Sequence, residues 1–97
     1  MLNLLVRIDK FLKVSRLIKR REIAKELCED RDVFLNGKAA KPSAEVNAGD
    51  TLELHLGLHH LTIKILEVRP FASKEQAAGL YEILSDVVAE RPRHETV

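Results

Sequence analysis

The spacing of the apolar residues changes at Val33, and this change restricts the chain to folds that combine helices with a sheet. Over residues 9–29, apolar side chains recur at the three- and four-residue spacing of a helix. Later, Thr51–Leu56 alternates strictly between polar and apolar residues, as a half-buried strand does. Asn36-Gly37 between them predicts a tight hairpin, because both residues tolerate positive φ. We therefore expect an α+β fold.

The helical part should consist of two short helices packed on a small, mostly antiparallel sheet. The apolar phase breaks over Lys19–Glu22, and one straight helix would carry a charged residue into the core. A tight turn at this break resolves the conflict. Asp9 is placed to cap the first helix, because its carboxylate can accept hydrogen bonds from the free amides of the first turn.

The sheet should contain four strands separated by turns at Asn36-Gly37, Ala48–Asp50 and Gly57–His60. Apolar parity changes near Leu66, which predicts a bulge or the end of a strand. The predicted strands are Val33–Leu35, Lys38–Lys41, Thr51–Leu56 and Leu61–Ile65.

A C-terminal helix is expected over residues 71–90, followed by a frayed, flexible tail at 91–97. Ser73 and Gln76 have the spacing of a capping box. The apolar stripe of this helix would consist of Ala77, Leu80, Tyr81, Leu84 and Val88.

Positive charge is concentrated in the predicted helix pair. Arg7–Leu27 holds eight of the sixteen Lys and Arg residues but three of the fifteen acids, in a chain of net charge +1. Neighbouring like charges on a helix cost a few tenths of a kcal/mol per pair, and a bound polyanion removes that cost. A solvated helix face is the alternative, but this polarity favours nucleic-acid binding. Charge alone does not separate RNA from DNA.

The sequence offers no catalytic or metal-binding constellation. Cys28 lies on an apolar helical stripe, so we expect it to pack in the core. His55 faces outward from a predicted strand, His59 and His60 lie in a predicted turn, and His94 lies in the tail, which leaves no pair spaced for zinc. We therefore expect no enzyme, no cofactor and no metal site.

The amino-acid composition bears on the kind of nucleic-acid-binding surface and on the cellular compartment. Three Phe, one Tyr and no Trp argue against an aromatic platform for stacking bases. One cysteine, no signal peptide and no apolar run of about 20 residues indicate a cytoplasmic protein without a membrane span.

The chain resembles the S4 RNA-binding domain, and the resemblance rests on RIDKFLKVSRLIKRREIAKEL at Arg7–Leu27 and VFLNGKAAKPSAEVNAGDTLEL at Val33–Leu54. These segments share with the family an Arg-x-Asp-Lys start, a basic turn between short helices, a strand into Asn-Gly, then Pro-Ser and Gly-Asp. The resemblance implies an αL-type S4 domain over residues 7–70, after an N-terminal extension at 1–6. Both helices would face structured RNA.

By position, the RNA-contacting Arg, Asp and basic-turn Arg of that family fall on Arg7, Asp9 and Arg21. Asp9 has two further interpretations, as a helix cap or as a clamp on a neighbouring Arg. The remaining expected RNA-binding residues are Lys13, Arg16, Lys19, Arg20 and Lys25 on the helix pair and Lys38 and Lys41 on the hairpin. Arg31 stands where the family generally has Gly. This predicts either a left-handed Arg, at a cost of about 1 kcal/mol, or a different local turn.

With the distal KEQAAGLYEIL, the chain is similar to the stand-alone S4 proteins of bacterial ribosome-associated quality control. We expect a stand-alone, monomeric adaptor, since no catalytic body follows the domain. The resemblance implies three partners: large-subunit rRNA, P-site peptidyl-tRNA on a stalled subunit, and an elongating partner that adds alanine tails. The alternatives are a heat-shock-type S4 factor that recycles large subunits with aborted chains, a helix-turn-helix DNA regulator, and a protein-binding module using the last helix.

Overall fold

The computed structural model describes residues 5–88, in which two helices pack against a five-stranded antiparallel sheet. The elements in chain order are β1 (Val6–Arg7), α1 (Ile8–Val14), α2 (Arg21–Glu29), β2 (Val33–Leu35), β3 (Lys38–Ala39), β4 (Glu45–Val46), β5 (Thr51–Leu56), β6 (His59–Ile65), α3 (Lys74–Ala77) and β7 (Tyr81–Val88). The predicted α+β class is confirmed. The predicted tail at 91–97 and residues 1–4 of the predicted extension lie outside the described residues.

The five-stranded sheet has the order β3-β2-β5-β6-β7, and all of its neighbouring strands are antiparallel. The hairpin between β2 and β3 turns at Asn36 and Gly37, with φ of 52° and 88°, as their sequence predicts. Strand β6 begins at His59, so the turn before it is shorter than the predicted Gly57–His60. The strand ends at Ile65, where the parity change predicts an end.

One face of this sheet forms the core together with the helices. The alternating leucines of β5 and the isoleucines of β6 point inward, and Leu52, Leu54, Ile63 and Ile65 are fully buried. Phe11 and Leu12 of α1 are equally buried against them. Burying a side chain of this size stabilises the fold by about 1.5–3 kcal/mol. None of the helices within residues 5–88 has the length and apolar character needed to cross a membrane.

A second, two-stranded sheet fixes the start of α1. Val6 of β1 pairs with Val46 of β4, and Arg7 pairs with Glu45. The next amide, that of Ile8, donates to the carbonyl of Ala44 over 2.7 Å. Because β1 leads directly into α1, this pairing fixes the position of Arg7 and the first turn of α1 relative to β4.

The C-terminal helix predicted over residues 71–90 is wrong beyond its first turn. The capping box of Ser73 and Gln76 is present, but α3 ends at Ala77, and Tyr81–Val88 forms β7. This segment contains β-branched residues that suit a strand, and its backbone pairs with the whole of β6, which would otherwise be an open edge. Ala77 and Leu80 of the predicted stripe are buried, but Leu84 is 52% exposed, so the later part of the stripe does not cover the core. A docking module built on this last helix is therefore also excluded.

Candidate nucleic-acid interface

The turn between α1 and α2 is tight, although it contains neither Gly nor Pro. Helix α1 stops at Val14, and Arg16 adopts a left-handed φ of 65°. The amide of Arg16 donates to the carbonyl of Lys13, and the amide of Ile18 donates to that of Leu12, both over 3.0 Å. Ile18 is buried and anchors the turn. The two-helix prediction is confirmed, but the break spans residues 15–20 rather than the predicted Lys19–Glu22.

Asp9 lies between Arg7 and Arg21, and the predicted cap is wrong. Its side chain is 3% exposed, and one carboxylate oxygen accepts from Arg7 Nη2 at 3.0 Å while the other accepts from Arg21 Nη2 at 3.2 Å. Two cations therefore offset the cost of burying this carboxylate. The clamp interpretation is confirmed: Asp9 ties the residue before α1 to the first residue of α2.

Both guanidinium groups in this clamp also face solvent. The side chains of Arg7 and Arg21 are 47% and 46% exposed. Each guanidinium carries five donors, and the carboxylate uses one nitrogen of each group. The clamp therefore orients two arginines with donors left over for an outside acceptor.

The other predicted helical cations are exposed around the turn and along α2. Among residues 5–88, none of them lies in an ion pair within 4 Å. These residues are Lys13, Arg16, Lys19, Arg20 and Lys25. Together with Arg7 and Arg21 they form a surface that we call the cationic helical face.

Six of the seven cations of this face line two separate depressions. Arg7, Arg21 and Lys25 border the first, beside Asp9 and Glu22. The second, which we call the turn groove, has a volume of about 550 Å³ and lies between the α1–α2 turn and the linker after β6. Its cationic lining consists of Lys13, Arg16 and Lys19, and its apolar lining includes Val14, Leu17 and Phe71.

Lys38 and Lys41 do not share these depressions. Both are exposed, and they border a shallow hollow with Leu35 and Ala44 on the hairpin side of the fold. The structure therefore groups six of the seven predicted helical cations in two sets of three, leaves Arg20 exposed outside both depressions, and places the two hairpin lysines elsewhere.

Of the two outcomes predicted for Arg31, the structure shows the left-handed conformation, with φ of 62°. Its amide donates to the carbonyl of Cys28, and the amide of Asp32 donates to that of Leu27 over 2.8 Å. These hydrogen bonds satisfy the last carbonyls of α2 in the way that is usual for a helix ending at a left-handed glycine. Strand β2 then begins at Val33 as predicted.

Cys28 is buried in the core, as predicted. Burial, with smaller contributions from the nearby charges of Asp9 and Glu29, raises the pKa of Cys28 from 9.0 to about 11. The thiol is therefore protonated at neutral pH and is a poor nucleophile.

His55 lies on β5 as predicted, whereas His59 and His60 begin β6 and do not lie in the predicted turn. His94 lies outside the described residues. His55 and His60 stack with ring centroids 4.2 Å apart, Phe34 lies beside His55, and Glu53 pairs with His55 at 2.8 Å. His59 pairs with Asp86. Within residues 5–88, no three His, Cys, Asp or Glu side chains come together as metal ligands.

Sequence reasoning missed Phe71, which lies in the linker and borders the turn groove. Its side chain is 79% exposed, and the Lys10 Nζ stands 5.5 Å from its ring centroid. The signal available was an aromatic residue directly after Pro70, in a segment without apolar periodicity.

The fold and this surface define a small α+β protein that presents a cationic pair of short helices. The S4 domain model matches residues 6–52. RQC P-site tRNA stabilizing factor of Streptococcus pneumoniae is 44% identical over 85 residues, which cover 88% of this chain and 97% of that protein. The chain belongs to the S4 domain family, within the group of small S4 proteins that includes these factors.

Heat shock proteins of the same family are also similar. Heat shock protein 15 of Escherichia coli is 38% identical over 91 residues, covering 91% of this chain and 67% of that protein. A trimeric structure of Vibrio cholerae heat shock protein 15 superimposes with a TM-score of 0.79 at 32% identity, covering 84% of each chain. The S4 fold and the predicted family are thereby confirmed.

Proposed function

We propose that this chain is a non-catalytic RNA-binding adaptor of bacterial ribosome-associated quality control that acts in the cytoplasm. It binds large ribosomal subunits obstructed by a stalled chain, contacts rRNA and P-site peptidyl-tRNA, and supports a partner that adds alanine tails. The names of its relatives, among them RQC P-site tRNA stabilizing factor, motivate the P-site assignment.

The cationic helical face is the observation that carries this proposal. Among the described residues, two of its seven Lys and Arg side chains, Arg7 and Arg21, pair with a carboxylate, that of Asp9. Within residues 5–88, the other five cations of the face have no ion-pair partner that would compete with an outside anion. RNA phosphates are suitable acceptors because charge-assisted hydrogen bonds to them are strong and release counterions.

The geometry favours recognition of shape over recognition of sequence. The cations surround a turn and a helix start, and the clamp fixes the spacing between Arg7 and Arg21. Fixed spacing suits the regular phosphates of a folded RNA, which proteins read mainly through backbone and shape. The chain then acts by holding RNA in place, with no chemical step.

A heat-shock-type role is the second candidate, because the chain also matches heat shock protein 15 in sequence and structure. In that role the protein would recycle large subunits that carry aborted chains. Membership of the S4 family weakens the case for a helix-turn-helix DNA regulator.

Purification of the tagged chain from its own cells separates the two roles. Co-purification of large subunits, P-site tRNA and an alanine-tailing protein supports the quality-control role. Large subunits recovered with no such protein, and without loss of alanine tails when the gene is deleted, would support the recycling role instead.

Charge reversal tests the RNA-binding surface directly. Arg21→Glu and Lys13→Glu should each weaken co-sedimentation with large subunits by about tenfold or more, since each removes at least one charge-assisted contact. Lys13 forms no ion pair within the described residues, so its reversal leaves the Asp9 clamp intact. Lys64→Glu, on the sheet face away from the helices, is the matched control. Folded variants that bind as the wild type does would refute the surface, and duplex DNA competing as well as rRNA at equal salt would refute the preference for RNA.

A further inference from the structure

Phe71 is more exposed than any other large apolar side chain of residues 5–88, at 79%. A single exposed apolar residue is ordinary on a protein surface and needs no explanation alone. This one borders the turn groove, whose opposite wall is formed by the α1–α2 turn. The ring therefore stands where the cationic helical face meets the linker.

The groove combines two kinds of lining that match one kind of ligand. Lys13, Arg16 and Lys19 supply three positive charges, and none of the acidic residues in the described part of the chain lines the groove. Val14, Leu17 and the ring of Phe71 supply apolar surface. A nucleotide presents a flat aromatic base and an anionic phosphate, and the volume of about 550 Å³ is in the range of small-ligand sites.

Lys10 prepares the ring for stacking. Its Nζ lies 5.5 Å from the ring centroid, over one face, as in a cation–π pair. A single cation covers one face only, and the high exposure of the ring leaves the other face accessible. Lys10 thus limits the orientations of Phe71 and adds positive charge beside the groove.

We propose that the turn groove binds one unpaired nucleotide of the RNA, with its base stacked on Phe71 and its phosphates held by Lys13, Arg16 and Lys19. This inference rests on the proposed RNA-binding function and adds a base contact to a surface that otherwise reads phosphates. The chain has too few aromatics for a stacking platform, but one exposed ring is enough for one base. The bound nucleotide belongs either to rRNA or to the P-site tRNA.

The test measures affinity for large ribosomal subunits with an empty P site and for subunits carrying P-site tRNA. Phe71→Ala should weaken binding by about 5- to 150-fold, the range found when a base-stacking aromatic is truncated to alanine. Phe71→Tyr keeps the ring and should bind as the wild type does. Leu58→Ala, a change at another exposed apolar residue in the β5–β6 turn, is the matched control. A loss with empty subunits assigns the nucleotide to rRNA, and a loss only with tRNA present assigns it to tRNA.

Two further readouts identify stacking. The fluorescence of a 2-aminopurine base in the bulge of an RNA stem should be quenched when the wild type binds and not when Phe71→Ala binds. The dependence of affinity on salt should keep its slope in Phe71→Ala, because no charge is removed. Wild-type affinity of Phe71→Ala in both subunit arms, or an equal loss in Phe71→Tyr, would overturn the inference. If Arg21→Glu still loses binding in that case, the proposed function stands, whereas wild-type binding by both variants would overturn the function itself.

Discussion

Salt should weaken binding of this chain to RNA steeply, and the structure sets how steeply. Each Lys or Arg that neutralises a phosphate releases condensed counterions, so log Kobs falls linearly with log salt concentration. The cationic helical face holds seven cations, and Asp9 cancels one of these charges. About six charges are then available for RNA phosphates.

With a slope of about −0.7 to −0.9 per phosphate contact, six contacts give a total of about −4 to −5. Raising monovalent salt from 50 to 200 mM should then lower affinity by about 300- to 2,000-fold. Replacing Lys13, Arg16 and Lys19 with Gln removes three contacts. The slope should fall to about −2 to −3, and the same change in salt should cost only about 20- to 40-fold.

Fluorescence anisotropy of a labelled rRNA fragment, over a series of salt concentrations, measures these slopes. Lys64→Gln removes one charge from the far face of the sheet and should leave the slope unchanged. A wild-type slope shallower than −2 would show that the helical cations do not meet phosphates. An unchanged slope in the triple variant would show that RNA phosphates contact another surface, for instance the one around Lys38 and Lys41.

Three other changes test particular features of the fold. Arg31→Gly should raise the free energy of unfolding by up to about 1 kcal/mol in urea, because Gly adopts the left-handed φ of 62° without strain; a decrease would contradict this. Because the pKa of Cys28 is raised from 9.0 to about 11, its contribution to the free energy of unfolding should be fully present below pH 9 and lost as the pH rises toward 11. Cys28→Ala should abolish this part of the pH dependence of stability, and an unchanged profile of stability against pH would refute the prediction. Asp9→Asn should lower stability by about 1–2 kcal/mol in thermal melts and also weaken RNA binding; its partners Arg7 and Arg21 are half exposed, which limits the loss of stability.

The central strands could be predicted from the sequence because their pattern is geometric. Side chains of a strand alternate between two faces, so one buried face imposes a period of two on Thr51–Leu56 and on Leu61–Ile65. The turn at Asn36-Gly37 was equally readable, since few residue pairs accept positive φ at both positions. In these elements, the residues that favour the local strand or turn conformation are also the residues that burial in the fold requires.

Strand β7 could not be predicted in this way, because its cause is not local. The apolar residues of Tyr81–Val88 fit a helical stripe or a mixed strand, and a valid capping box precedes them. What decides for the strand is the open edge of β6, which lies about twenty residues earlier and pairs with the whole segment. The short helix ends at Ala77 with Ala78 as its C-cap, and the chain enters β7 at Tyr81.

The break between α1 and α2 begins earlier in the chain than predicted, for a related reason. Ile18 lies outside both helices but is buried, so it continues the apolar phase of α1 after the helix has ended. The left-handed Arg16 that starts the turn carries no signal in its residue type. Side-chain burial therefore indicated where the chain meets the core, but not where its backbone stops being helical.

The sign of the Asp9→Asn effect on binding separates two roles for this residue. The change adds one net positive charge to the cationic helical face, so electrostatic attraction alone predicts tighter binding and a steeper salt slope. The clamp predicts weaker binding, because Arg7 and Arg21 lose the carboxylate that fixes the distance between their guanidinium groups. Preorganised donors bind with less loss of side-chain entropy than mobile ones. Weaker binding with an undiminished salt slope would therefore identify Asp9 as a positioning residue, whereas tighter binding of a folded variant would show that charge, and not geometry, governs recognition here.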